Sequence, residues 1–289
     1  MTLRTALKWI YGPGSCYSLP SDGSLRPDLL VQNLPRHAVQ DADLICGHLL
    51  FGLHRHLDCA CRYFTLLRDP VRRVISHYFY HLERYPDSKV AFPSLKDFLH
   101  SDYSIASSNR LVRFLSGKNP DRVPETALRE AKEHLANDVA VFGLTERFDE
   151  SLLLFQTRLN WHYPPFYVRR KVNSARPSIE DLPDDTIEDV RRQNRLDADL
   201  YRFARERFGR MVEREIPNLE SALPQFRRWN HVVQTCAPPL LALYRKGKSL
   251  RQGPSTPKGQ TFLPLLLRRP GQKDIRSVQP QRIIKSRRG

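Results

Sequence analysis

The chain has 289 residues, 47 of them lysine or arginine against 31 aspartates and glutamates, for a formal net charge of +16. A chain of this length buries most of its apolar surface in one core, so a single main domain is expected rather than two small ones. The charge favours polyanions, phosphate or sulfate esters, or acidic membranes without choosing among them, and no run reaches the roughly 18 apolar residues that a membrane span requires.

In chain order, "TLRTALKWIY" (residues 2–11) places Leu3, Ala6, Leu7 and Ile10 at helical spacing, and Gly12, Pro13 and Gly14 end the pattern. This start has neither the apolar stretch nor the cleavage pattern of a secretory signal, so the expected location is cytoplasmic; membrane association or the Golgi stays open if an anchor precedes Met1. Three short apolar runs with polar flanks, "DADLICGHLL", "CRYFTLLRDP" and "NDVAVFGLTE", suit buried parallel strands. Helical stretches at 70–85, 94–100, 107–116, 124–136 and 148–160 lie between and after them. That alternation argues for an α/β layered fold. Residues 186–215 repeat apolar positions at helical steps, which predicts one or two helices packed on the sheet. From about residue 236 prolines, glycines and unopposed basic residues take over, so the expected organisation is a domain over 1–235 and a disordered or weakly ordered basic tail over 236–289.

Five cysteines (Cys16, Cys46, Cys59, Cys61 and Cys236) at irregular spacing argue for reduced thiols rather than a disulfide framework. His48, His54, His56, Cys59 and Cys61 are all residue types that bind zinc, but their spacing fits no structural zinc pattern, and no metal is expected. The tail could bind a polyanion through counterion release or be plain solvated chain, and no base-reading motif accompanies it, so no specific nucleic-acid partner is expected.

The densest cluster of chemistry is "TLLRDPVRRVISHYFYH" at 65–81. Asp69 before Pro70 makes a good N-cap and first-turn pair, so a helix should start at residue 70. A parallel strand feeding such a helix leaves unpaired N–H groups and the positive end of the helix dipole at the sheet edge, which suits an anion. Arg72 and Ser76 are four apart, Arg73 and Ser76 three apart, and Arg68 can turn its planar fork to the same place. The bland alternative is an amphipathic helix with Arg68 paired to a nearby acid. Tyr78, Phe79 and Tyr80 suit packing of the helix on the sheet, or contact with a base. Asn109 and Arg113 suit an acceptor groove, or equally a helix cap and a solvated arginine.

This stretch resembles the 3′-phosphate-binding strand and helix of carbohydrate sulfotransferases that use 3′-phosphoadenylyl sulfate, the family that includes the heparan sulfate 2-O- and 6-O-sulfotransferases and bacterial members. "LICGHLLFGLH", "SSNRLVRFLSG", "AKEHLANDVAVFGLTERFDESLLL", "YVRRKVNSARP" and "NRLDADLYRFARERF" follow the family's order and spacing over roughly residues 2–210. The resemblance implies a P-loop-like three-layer α/β fold with a central parallel sheet. It also implies transfer of a sulfuryl group to a hydroxyl, expected on a carbohydrate. Carried over by position, Arg68 and Ser76 match ligands of the nucleotide's 3′-phosphate, and His48 matches a general base. Arg170 and Lys171, with Arg169 and Asn173, match more loosely a loop that closes over the nucleotide. Glu146 and Arg147 match a position of structural weight. The family's first strand and its 5′-phosphosulfate loop, with a lysine for the leaving oxygen, would lie upstream of Met1, and Lys8 is too far along the helix to replace that lysine. The competing expectation is a relative that binds nucleotide or glycan without catalysis, or a basic polyanion-binding protein.

Overall fold

The computed structural model describes residues 2–12, 15–19, 42–57, 59–106, 108–168, 179–249 and 265–268. Helix α1 (Thr2–Tyr11) forms where the apolar spacing predicts it, with Leu3, Ala6 and Leu7 buried. A strand that the sequence reading did not anticipate, β1 (Cys16–Ser18), follows; its three residues are half-buried and too few to show an alternation. The three expected strands are present as β2 (Leu44–Cys46), β3 (Cys61–Leu67) and β4 (Val139–Leu144).

Between β3 and β4 run α2 (Pro70–Arg84), the short α3 (Ser88–Ala91), α4 (Leu95–Leu99) and α5 (Asp102–Ala106), then α6 (Arg110–Ser116) and α7 (Glu125–Asn137). After β4 come α8 (Phe148–Leu159), α9 (Asp184–Gln193), α10 (Arg195–Glu215) and α11 (Leu219–Ser249). The stretch over 186–215 is therefore two helices, broken at Asn194, and each buries one apolar stripe.

The fold is mixed α/β, mostly helical, with one five-stranded sheet in the order β1-β2-β5-β3-β4, where β5 is Leu265–Arg268. β1 pairs with β2 and β3 pairs with β4 in parallel, as expected. β5 lies between β2 and β3 and runs antiparallel to both. Two expectations change here. The described sheet is not wholly parallel, and the C-terminal region that composition presents as a weakly ordered tail supplies the end of α11, beyond residue 236, and a central strand. Backbone N–H and C=O groups on the facing edges of β2 and β3 need partners, and β5 supplies them on both sides.

The main core collects the sheet, α1, α6, α7, α8 and α10 around fully buried Phe64, Phe142, Phe155 and Phe208. A second, smaller cluster joins Val74, Ile75 and Tyr78 of α2 to Leu95, Phe98 and Leu99 of α4 and Ile187 and Val190 of α9. Tyr78 thus packs on neighbouring helices rather than on the sheet, and its hydroxyl donates to the Phe92 carbonyl at 3.3 Å.

Candidate anion-binding site at the strand ends

His48 sits in the loop that leaves β2. A Cβ on Gly47 would stand 2.4 Å from Leu19 Cβ, so glycine is required where the chain leaving β1 crosses. Beyond His48 the loop docks on the end of α6, Phe51 N–H donating to the Phe114 carbonyl at 2.7 Å. Gly117, which caps that helix at φ +76°, leaves room for the Phe51 carbonyl, only 2.5 Å from where its Cβ would be. The His48 ring lies 6.1 Å from the Phe114 ring. Burial first and the Arg110 guanidinium second lower its pKa to about 4, which leaves the imidazole neutral at physiological pH. Its Nδ1 is buried with no hydrogen-bond partner among the described residues.

At the next strand end the Asp69 carboxylate accepts the Arg72 N–H at 2.9 Å and caps α2, which begins at Pro70 as the sequence predicts. Glu146 clamps this elbow: it accepts the Asp69 N–H at 3.1 Å and the Tyr201 hydroxyl at 2.6 Å, and Thr145 donates its hydroxyl to the Leu67 carbonyl at 2.9 Å. Glu146 therefore has a structural place. Arg68 is half-buried just before the helix, and Ser76 lies two turns in, buried to 1% exposure. Of the two arginines considered with Ser76, Arg72 is exposed and Arg73 shares the buried stripe.

Two helix N-termini cap each other behind the elbow. Asn109 accepts the N–H groups of Leu196 and Asp197 at 3.1 and 3.2 Å at the start of α10, and Asp197 accepts those of Leu111 and Val112 at 3.1 and 2.9 Å at the start of α6. Orphan amides of both helices are satisfied reciprocally. Asn109 reaches φ +48°, a left-handed conformation that asparagine tolerates, to do this. Arg73 joins by donating Nη2 to Asn194 Oδ1 at 3.0 Å. Asn109 is thus a cap, but for α10 rather than for its own helix. Arg113 is buried, not solvated, and its guanidinium holds the loop carbonyls of Ser108, Pro120 and Asp121.

The sequence reading missed the convergence around His48. His77, held at about 3 by burial and then by Arg73, Arg110, His81 and His48, lies 3.2 Å through Nε2 from the Tyr103 hydroxyl. The i, i+4 spacing of Arg73 and His77 was legible, but their meeting with Arg110 and His48 depends on the docking of α6 against α2. Burial also lowers Arg73 to about 10.

Among the described residues no group of three or more histidine, cysteine, aspartate or glutamate side chains is placed to hold a metal ion. His54 Nδ1 is 2.9 Å from the Tyr63 hydroxyl, and the thiols of Cys59 and Cys61 are 3.5 Å apart. Arg170 and Lys171, with Arg169 and Asn173, lie outside the described residues. No helix among the described residues is long and apolar enough to cross a membrane. The side chains at the strand ends are thus rich in guanidinium, imidazole and hydroxyl groups. The Arg72 amide is already taken by Asp69, so an anion here would be held mainly by side chains.

A family model, galactose-3-O-sulfotransferase, matches residues 26–236. The chain belongs to this family of carbohydrate sulfotransferase enzymes. It is 31% identical over 179 residues to heparan-sulfate 6-O-sulfotransferase 1-A of Danio rerio, covering 50% of this chain and 42% of that one. It is 29% identical over 182 residues to heparan-sulfate 6-O-sulfotransferase 3 of Mus musculus, covering 50% and 37%. Heparan-sulfate 6-O-sulfotransferase 2 of Homo sapiens is 27% identical over 181 residues, covering 50% and 29%. The chain thus spans less than half the length of these relatives.

Proposed function

We propose that the protein transfers a sulfuryl group from 3′-phosphoadenylyl sulfate to a hydroxyl of a carbohydrate acceptor. The supporting observation is the β3–α2 elbow of a sulfotransferase-family chain: Arg68 at the strand end, a capped helix starting at Pro70, and Ser76 on the buried stripe two turns in. Arg68 and Ser76 hold the nucleotide's 3′-phosphate, and Arg170 and Lys171 are assigned to the same nucleotide. The two parallel pairs, β1 with β2 and β3 with β4, support this reading, since ligands of open α/β sheets gather at the ends of parallel strands. The donor supplies the sulfuryl group; the chain's part is to bind, orient and stabilise charge during an in-line displacement. His48, neutral and at the end of β2, accepts the acceptor hydroxyl's proton as the oxygen attacks. A pKa of about 4 makes it a weak base until a bound anion offsets Arg110.

The test is calorimetric titration of 3′-phosphoadenosine 5′-phosphate into the full chain and into Arg68→Ala and Ser76→Ala. Losing one charge-assisted hydrogen bond should weaken binding by about 1.5–3 kcal/mol. Unchanged affinity in Arg68→Ala would remove Arg68 from the site. A second reading, a nucleotide- or glycan-binding relative without sulfuryl transfer, is favoured by one observation: antiparallel β5 fills the centre of the sheet, where the family resemblance puts the first strand. Nucleotide binding without turnover on desulfated heparan would support that second reading.

A further inference from the structure

Three arginines and one carboxylate meet where α2, α6 and α10 converge. Asp197, completely buried, spends its two oxygens on the Leu111 and Val112 amides while facing Arg73 and Arg113. Arg113 faces Asp197 first and Asp121 second, and donates to the loop carbonyls of Ser108 and Asp121. Three guanidiniums thus face two carboxylates, an excess of one positive charge around the buried Arg73, where an uncompensated charge is costly. Arg73 is 5% exposed, and its Nε is buried without a hydrogen-bond partner. A purely structural role as the pin on Asn194 uses Nη2 and leaves Nε unexplained. Arg110 makes no hydrogen bond or ion pair to the described residues; its guanidinium lies 4.9 Å from the Phe114 ring centroid, on the residue whose ring also backs His48. His48 and His77, both held neutral, and the Tyr103 hydroxyl also face it, and none of them balances the charge.

We propose that Arg110, backed by Arg73 and flanked by His77, is a binding residue that holds an oxyanion beside His48, either the sulfo group of the donor or an acidic group of the saccharide acceptor. This rests on the sulfotransferase reading for the identity of the anion, but not for the unpaired donors and excess charge that call for one. An oxyanion there satisfies the buried donors and balances the excess charge. It also draws the pKa of the neighbouring imidazole back up, so that His48 becomes a better base once the reactants are in place.

The experiment is a titration of the full chain with sodium sulfate at constant ionic strength, followed by the side-chain nitrogen resonances of its histidines. Saturable shifts at His48 and His77, with a higher His48 pKa at saturation, are expected. Arg110→Gln should weaken the sulfate affinity by about 10-fold or more, the loss of one charge-assisted hydrogen bond. Arg110→Lys should recover part of it, and Arg129→Gln, the same charge change at an exposed site, should leave it unchanged. Displacement of sulfate by 3′-phosphoadenylyl sulfate but not by 3′-phosphoadenosine 5′-phosphate would assign the pocket to the donor's sulfo group. Displacement by glucuronate and by neither nucleotide would assign it to the acceptor, and would hold even if nucleotide binding failed. No saturable shift, equal affinity in the Arg110→Gln and Arg129→Gln proteins, or displacement by none of the three compounds would overturn the proposal, the last leaving an adventitious ion only.

Discussion

β3 and β4 are seven and six residues long and pair in parallel from Tyr63 with Val139 to Leu67 with Leu144, while β1 and β2 have three residues each. On the first side α7, α8 and α10 pack against β4, and Arg68 and Ser76 follow directly from β3. On the other side β2, which places His48, pairs with β1 and, among the described residues, reaches β3 and β4 only through β5, brought in from near the chain's other end. The comparison teaches that the two halves of the candidate site have different supports. The anion elbow rests on the direct pairing of β3 with β4 and on interlocked side-chain clamps such as Glu146 on Asp69, and the histidine rests on a strand joined to β3 across a very long loop. The elbow should therefore resist perturbations that loosen His48.

The largest effect is expected at the hub of the interlocked side. Asp197→Ala orphans the amides of Leu111 and Val112 and strips Arg73 of its counter-charge. Removing one partner of a buried ion pair costs about 3–5 kcal/mol, which would appear as a lower urea midpoint in equilibrium unfolding. A cost near zero would mean that the mutual capping of α6 and α10 carries little of the fold. Asp197→Asn, which keeps one acceptor, should cost less.

Leu266→Pro tests the other side more gently. Leu266 is paired with Ile45 on one side and Tyr63 on the other, and proline removes its N–H and a ladder hydrogen bond. A net loss of about 0.5–1.5 kcal/mol per hydrogen bond is expected. Hydrogen exchange should quicken at Leu44–Cys46 while Val139–Leu144 keeps its protection. Equal loss in both strands would show that the sheet opens as one unit and would erase the contrast.

The same contrast explains what could be read from the sequence. β2, β3 and β4, the start of α2 at Pro70 and the Asp69 cap were legible because apolar runs, turn residues and cap chemistry are local signals. Arg68 and Ser76 were candidates through spacing and the family resemblance, and His48 through the resemblance. β1 was not legible because three half-buried residues carry no period. β5 was hidden because the basic, proline-rich composition around it gives no local sign of a strand, and its hydrogen-bonding partners lie some two hundred residues away in sequence. Spacing placed Arg73 beside Ser76 and left Arg113 between an acceptor groove and solvent, but arginine burial is decided by tertiary partners such as Asn194 and the loop carbonyls, which spacing does not reveal.

The smallest expected effect divides the two halves by their histidines. His77 belongs to the α2 side and His48 to the β2 side, and burial, reinforced by nearby arginines, depresses both, to about 3 and about 4. In the unfolded chain each would titrate near 6.5, so the unfolded state binds the extra protons first as pH falls. The contribution of both rings is thus fully present above pH about 6.5 and declines as pH drops toward their folded values. Urea midpoints should fall between pH 7 and 5, a window above most carboxylate titrations. His77→Gln should flatten that fall without altering β2 exchange. His48→Gln should flatten it less, because its ring sits in the more weakly tied half, where partial opening admits water. A midpoint that stays level from pH 7 to 5 would mean that neither ring is buried as described, and a larger effect for His48 would reverse the ranking of the two sides.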